Sequence, residues 1–296
     1  MPLKFEPVHL DKQTDYLARL AMCPQIASDY SFVNLWGWAE EYGLFWAWED
    51  DLVWIKQTDP VVSYWAPIGS WSSIQWMDRF NATAFETDRF VRVPEQLALR
   101  WQALDPGGHW VSIKESRGHW DYLFNPPDLI DLKGNRFRKK RNLVNQFKRK
   151  YDFSYAPLSP ETIEQAMNMQ MDWCTWRDCE SSDMLSAENQ AIEKILGRWQ
   201  QLKNITGGSI TVDGNIAAYT VAERLPDGSL LIHFEKGSPD VKGSYQAINQ
   251  MFLEHAEGDI SIVNREQDLD DAGLRKAKLS YHPTDFIKKY EIALTP

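Results

Sequence analysis

The residues best suited to moving protons or meeting charge lie in three short stretches of the second half of this 296-residue chain. The first is LLIHFEKG, residues 230–237. As a strand, its period-two alternation puts Leu231, His233 and Glu235 on one face and Ile232, Phe234 and Lys236 on the other. An imidazole and a carboxylate sharing a face are costly to bury unpaired, so they are expected beside a cleft or a partner. Glu235 is then a proton acceptor, an amine ligand or half of a structural ion pair, and the residues alone leave these open. The second stretch is Lys242, Gly243, Ser244 and Tyr245, where a helix should begin. Free backbone N–H groups and the positive end of the helix dipole make such a place an anion site, with ordinary capping as the alternative. The third is NREQDLDDAGLRKAKLSY. Asn264, Arg265, Glu266 and Asp268 close an expected strand, and Arg275, Lys278 and Tyr281 are spaced to line one side of the following helix. Strand ends are where α/β proteins bind ligands. Arg275 or Lys278 is suited to offset charge on an oxygen or to hold a carboxylate or phosphate, unless the helix is simply solvated with i,i+3 charge pairs. A proton acceptor beside cations can take a proton from one group and meet negative charge on another.

A fourth feature is a block of charge. Lys133 to Lys150, KGNRFRKKRNLVNQFKRK, holds nine Lys or Arg and no acid, within a chain of net charge −10, so the remainder sums to −19. An acidic body with one basic stretch points to a local phosphate contact. Phe137, Val144, Phe147 and Tyr151 form an apolar stripe at helical spacing. Arg138, Lys139, Arg141, Lys148 and Arg149 are left outward. Lys139, Lys140 and Arg141 are the expected phosphate or RNA contacts, with an anionic lipid surface or acidic residues of the same protein as other partners.

These residues need elements to position them, and the order is legible. YDFSYAPL reads as a strand, then helices run through ETIEQAMNMQMDWCTW and AENQAIEKILGRWQQL. GGSITVD and NIAAYTVAER form a hairpin across Asp213-Gly214, and LLIHFEKG follows. A helix through KGSYQAINQMFLEHAE, a strand ISIVNRE, a helix DAGLRKAKLSY and a final strand DFIKKYEIAL complete a β-α-α-β-β-β-α-β-α-β order. Such an order implies a mixed α/β sheet covered on both faces. The first half carries 11 of the 14 tryptophans. It should open with a helix FVNLWGWAEEY capped by Ser28 or Asp29, followed by a hairpin LFWAWE and LVWIKQ turned at Glu49 to Asp51.

Composition narrows the class. With 43% hydrophobic residues and 38 aromatics the chain can bury a large core, and the absence of an 18-residue apolar run predicts no spanning helix. The mean hydropathy is −0.48. The first residues show no secretory pattern, so a cytoplasmic location is expected. Cys174 and Cys179, five apart on an expected helix, fit no zinc spacing with His109 or His119 and read as packed thiols; no metal is expected.

The stretches DYLFNPPDLIDLKGNRFRKKRNLVNQFKR, HFEKGSPDVKGSYQAINQMF and NREQDLDDAGLRKAKLSYHPTDFIKKYEI resemble the family that includes the C-terminal cytosolic domain of phosphatidylglycerol lysyltransferase. The resemblance implies two tandem GNAT-like acyltransferase domains, as in the Fem-type aminoacyltransferases: 1–130, a basic connecting helix over 131–150, and 151–296 with the active cleft. It implies transfer of an aminoacyl group from charged tRNA to a hydroxyl or amine acceptor. Glu235 matches the acidic position of the family motif, and Lys278 with Pro283 matches its K-x-x-x-x-P feature. Acyl-CoA-dependent relatives show a glycine-rich loop where this chain has DVKGSYQ, which favours aminoacyl-tRNA over acyl-CoA as donor. A CoA-dependent N-acyltransferase and a non-catalytic module holding tRNA or anionic lipid are the competing expectations.

Overall fold

Ile205–Val212 and Asn215–Arg224 form the expected hairpin, turned at Asp213 and Gly214 with φ of 50° and 82°. Those left-handed angles suit an Asp-Gly turn whose twist matches its strands. In this computed structural model, which describes residues 3–49 and 51–294, the hairpin lies in a seven-stranded mixed sheet. Its order is Asp285–Ile287, Asp121–Phe124, Val263–Asn264, Leu230–Gly237, Asn215–Arg224, Ile205–Val212, Phe153–Pro157. Leu230–Gly237 and Val263–Asn264 run parallel.

The helices follow local signals. Pro160–Arg177 begins with Pro at its first turn and a reciprocal cap between Ser159 and Thr162. Asp183–Gly197 is capped by the Ser182 hydroxyl, which accepts from the Leu185 N–H. Ser244–His255 buries Ala247, Ile248 and Met251 against Ile210, Val212, Ala217 and Ala218 of the hairpin, and Phe147 from the basic helix Arg138–Lys150 joins the same cluster. The apolar stripe thus docks the basic helix: Phe137, Val144 and Phe147 are buried, while Arg138, Lys139, Lys148, Arg149 and Lys150 are exposed.

The other sheet is ordered Glu6–Pro7, Leu44–Trp48, Leu52–Gln57, Ser63–Trp65, Arg89–Pro94, Lys289–Leu294, Val111–Glu115, with Ile68–Gly69 pairing the third of these. Its early tryptophans are core: Trp46, Trp54 and Trp101 have no exposed surface.

Two compact units result, one of Met1–Tyr122, Glu266–Arg275 and Phe286–Pro296, the other of Leu123–Arg265 and Lys276–Asp285. The expected layout of 1–130, 131–150 and 151–296 differs from this: residues 123–150 belong to the second unit, and residues 266–275 and the final strand to the first. DFIKKYEIAL divides at Lys288, and its second part, Lys289–Leu294, pairs antiparallel with both Arg89–Pro94 and Val111–Glu115. Alternation shows that a segment is a strand but not which edge it joins. ISIVNRE is a strand only at Val263–Asn264. The opening helix is Phe32–Gly37, capped by Ser31, whereas Ser28 and Asp29 are buried and occupied elsewhere. Asp50, within the expected acidic turn, lies outside the described residues.

Cys174 and Cys179 correct another expectation, since they form a disulfide. Five residues on a continuous helix point side chains about 140° apart. Here the helix stops at Arg177, Asp178 turns left-handed with φ 54°, and Cys179 swings back. Among the described residues no helix is long and apolar enough to cross a membrane.

Candidate functional site

Leu230–Gly237 and Val263–Asn264 are joined by two pairs only, Leu230 with Val263 and Leu231 with Asn264. Glu235 lies beyond the last of these and is spanned by the side chain of the residue that follows the short strand, Arg265, whose Nη2 meets Glu235 Oε2. The pair is sheltered, with side chains 16% and 10% exposed. Two of its atoms are buried with no hydrogen-bond partner among the described residues, Oε1 of Glu235 and Nη1 of Arg265. An unmatched acceptor and an unmatched donor on one ion pair are unusual, because buried polar atoms are nearly always satisfied.

Three more side chains close on this pair. Lys278 donates to the Arg265 carbonyl. The buried Tyr281 ring lies 4.8 Å from the Arg265 guanidinium and 4.1 Å from the Lys140 ammonium. Burial lowers Lys140 to about 8, Arg265 adding to the effect and Glu235 opposing it. Burial likewise pushes the Tyr281 hydroxyl up to about 12. Arg265 is pulled down by burial, but Glu235 and Tyr281 outweigh this and hold it above its ordinary value. Glu235, Arg265, Lys278, Tyr281 and Lys140 are therefore one charged cluster, drawn from a strand, the residue after a strand, a helix, the turn beyond it and the basic helix.

Other expected residues go elsewhere. The strand carries a bulge: Phe234 pairs with Val221 and Ile232 with Ala222, leaving His233 as the extra residue. A bulge breaks the alternation on which the shared face of His233 and Glu235 depended. His233 Nε2 instead lies 3.4 Å from Glu223 Oε2, both side chains fully buried. Arg275 is corrected too. It binds Asp268 through two bonds of 2.8 and 2.7 Å and Asp270 through one of 2.6 Å, so it clamps its own turn. Asp268, also bound by Arg117 and Tyr122, is resisted by burial yet held down at about 2 by these hydrogen bonds. Glu266 accepts from Asn34, and Asn264 is buried in its strand.

At the helix start, Gly243 has φ 90°, and a Cβ there would stand 2.8 Å from the Leu143 carbonyl oxygen. The close approach this glycine permits is to the basic helix. Ser244 donates to the Ser238 carbonyl, Tyr245 accepts from the Trp173 indole, and the Lys242 N–H donates to the Tyr151 hydroxyl. Along the basic helix, Arg141 donates to the carbonyls of Leu132 and Gly134, Lys140 belongs to the cluster above, and Lys139 is exposed. A cleft of about 410 Å³ is lined by Gln146, Arg149, Lys150 and Lys242. Among the described residues, three cations and no acid line it.

Two buried networks were not anticipated. Lys236 donates to Glu188 at 2.6 Å with its ammonium 3.8 Å from the Trp173 ring centre. In the first unit Lys289, with no exposed side chain, is held by Asp29 and, at 2.7 Å, by Asp121, while Arg92 also binds Asp29. Burial pushes Asp29 up, but Lys289 and Arg92 hold it well below the ordinary carboxylate range. Of their members, Arg92, Asp121, Lys236 and Lys289 are ionisable residues within strands, whereas Asp29 and Glu188 lie on helical turns.

The family described as "Phosphatidylglycerol lysyltransferase, C-terminal" matches residues 21–293. An uncharacterized protein of Mycoplasmoides gallisepticum is 25% identical over 179 residues, 57% of this chain. The chain spans about half, 54%, of that relative. Among solved structures, a conserved protein of unknown function from Bacteroides thetaiotaomicron is 28% identical with a TM-score of 0.87, over 99% of this chain and all of that one. L-PGS from Bacillus licheniformis is 14% identical with a TM-score of 0.60, over 98% and 93% of the two chains. FemX is 9% identical with a TM-score of 0.59, over 98% and 97%. The last two likenesses are of fold, and the chain shares their mixed α/β architecture.

Proposed function

The chain belongs to the phosphatidylglycerol lysyltransferase C-terminal family, and from that membership we propose that it moves an aminoacyl group from charged tRNA to an amine or hydroxyl acceptor. The observation that carries the reading is the Glu235–Arg265 pair, with one unmatched acceptor and one unmatched donor. In this mechanism the acceptor's lone pair attacks the ester carbonyl while its proton passes to Glu235. The new N–C or O–C bond leaves a tetrahedral oxyanion, which Arg265 Nη1 meets, with Lys278 adding positive charge nearby. Collapse breaks the C–O bond to the terminal ribose, and the proton held by Glu235 leaves with that oxygen. Arg265 thereby takes the part that residue types alone had offered to Arg275. The exposed cations of the basic helix and Lys242 are the proposed contacts for tRNA phosphates, a salt-dependent attraction.

The test is release of labelled amino acid from charged tRNA onto a panel of amine and hydroxyl acceptors, including phosphatidylglycerol. Glu235→Gln should lower the rate about 100-fold or more while leaving the melting temperature within a few degrees. Equal rates for variant and wild type would remove Glu235 from the mechanism. Stabilisation by acetyl-CoA, with none by tRNA, would move the donor to acyl-CoA.

A further inference from the structure

We propose that the cleft lined by Gln146, Arg149, Lys150 and Lys242 holds a phosphate of unpaired RNA about three to four nucleotides from the aminoacyl ester, the basic helix setting that distance. This rests on the aminoacyl-transfer reading of the Glu235 centre and adds which part of the donor the cleft takes. Both places share one helix. Lys140 belongs to the Glu235 centre, its ammonium 4.1 Å from the Tyr281 ring centre. Gln146, Arg149 and Lys150 follow it in Arg138–Lys150. At about 1.5 Å per residue they lie about 9–15 Å further along the axis. A stacked strand advances about 3.4 Å per nucleotide, so an ester held at Glu235 brings a phosphate about three to four nucleotides away to the cleft. The unpaired 3′ end of a tRNA has that length.

The cleft is built before any ligand arrives. A Cβ on Gly243 would stand 2.8 Å from the Leu143 carbonyl oxygen and 3.3 Å from the Phe147 Cβ, and the Lys242 N–H donates to the Tyr151 hydroxyl at 3.1 Å. The loop carrying Lys242 is thereby fastened to the basic helix, whose Phe147 is anchored in the core. Arg149 donates to the Asn145 carbonyl, and among the described residues no ion pair joins Arg149, Lys150 or Lys242 to an acid. Hydrogen bonds from Lys150 and from the Lys242 N–H lower the Tyr151 hydroxyl from its ordinary value, with burial opposing them. A concave site lined by one sign of charge focuses its field on counter-ions. The four lining residues are all polar, with none of the apolar side chains that seat a protein in a bilayer. A bilayer also presents its phosphates on a plane, whereas a single strand presents them along an edge that enters a cleft.

Non-transferable 3′-lysylamido RNAs, truncated from the 5′ side of a CCA end to lengths of one to seven nucleotides, measure the distance directly, with a 3′-alanylamido series beside them. By calorimetry at about 50 mM salt the wild type should gain at least about tenfold in affinity between two and five nucleotides, and less than about threefold between five and seven. Neutral methylphosphonates at the third and fourth linkages from the 3′ end should erase the gain, and one at the first linkage should leave it. Arg149→Gln combined with Lys150→Gln and Lys242→Gln should reduce the gain below about threefold. Lys242→Gln alone, which should at least halve it, serves if the triple variant does not fold, with thermal melting reporting folding for both. Affinity that does not rise between two and five nucleotides, that climbs equally at every nucleotide through seven, or that keeps its gain in the folded variants would each overturn the proposal. Binding of phosphatidylglycerol vesicles that is lost in the same variants, with no rise along the RNA series, would overturn it in favour of a lipid surface. The expected rise, with no transfer from any charged tRNA, would uphold the cleft while overturning the transfer activity proposed above. Transfer without the rise would overturn the cleft alone.

Discussion

Arg265 and His119 are both ionisable groups forced out of water, and their surroundings push them in opposite directions. Arg265 keeps its charge because Glu235 and Tyr281 outweigh its burial. His119 loses its charge: burial, with Arg92 and Lys289 adding to it, lowers it from 6.5 to about 4, while Asp29 opposes them. The unfolded chain therefore binds a proton near pH 6.5 that the native chain resists until about pH 4. Stability from this group is fully present above that window and is lost as pH falls through it. His119 retains some solvent contact, so the loss should be roughly 1–2 kcal/mol. Urea midpoints measured from pH 7 to 4 should fall more steeply for the wild type than for His119→Phe, and parallel curves would refute this.

Elements explain what residue types alone did not. Gly243→Ala should destabilise the protein by about 1–3 kcal/mol, combining a left-handed backbone with a Cβ 2.8 Å from the Leu143 oxygen. An unchanged urea midpoint would mean that the two helices yield without cost. The strand and helix order of the second half was legible because its signals are local: Asp-Gly turns, Ser-Pro at a helix start, alternation in NIAAYTVAER. Glu235, Lys278 and Tyr281 were legible as candidates because their types suit the chemistry. Their partner Arg265 was visible only as one member of a polar run, since its pairing depends on two strands parting after Leu231 and Asn264. The bulge at His233 and the disulfide after Arg177 were hidden, because both arise where a regular period stops. Glu223 was hidden because its meaning comes from a residue on the neighbouring strand.

Across the whole chain, charge and connectivity both act over long separations. The net charge of −10 coexists with a first unit whose interior holds a fully buried cation, Lys289, set between Asp29 and Asp121. Lys289→Met leaves those carboxylates with Arg92 as their remaining named cation, and should destabilise the fold by about 3–5 kcal/mol. A loss below 1 kcal/mol, read by urea unfolding, would show that the carboxylates are compensated otherwise. The position of Lys289–Leu294 between Arg89–Pro94 and Val111–Glu115 also has a consequence for biosynthesis. Those flanking strands leave the ribosome long before the segment that joins them, so the nascent sheet carries an open seam until translation has passed residue 294. Ribosomes that stall earlier would release fragments with two unpaired edges, ready templates for aggregation and early substrates for quality-control proteases.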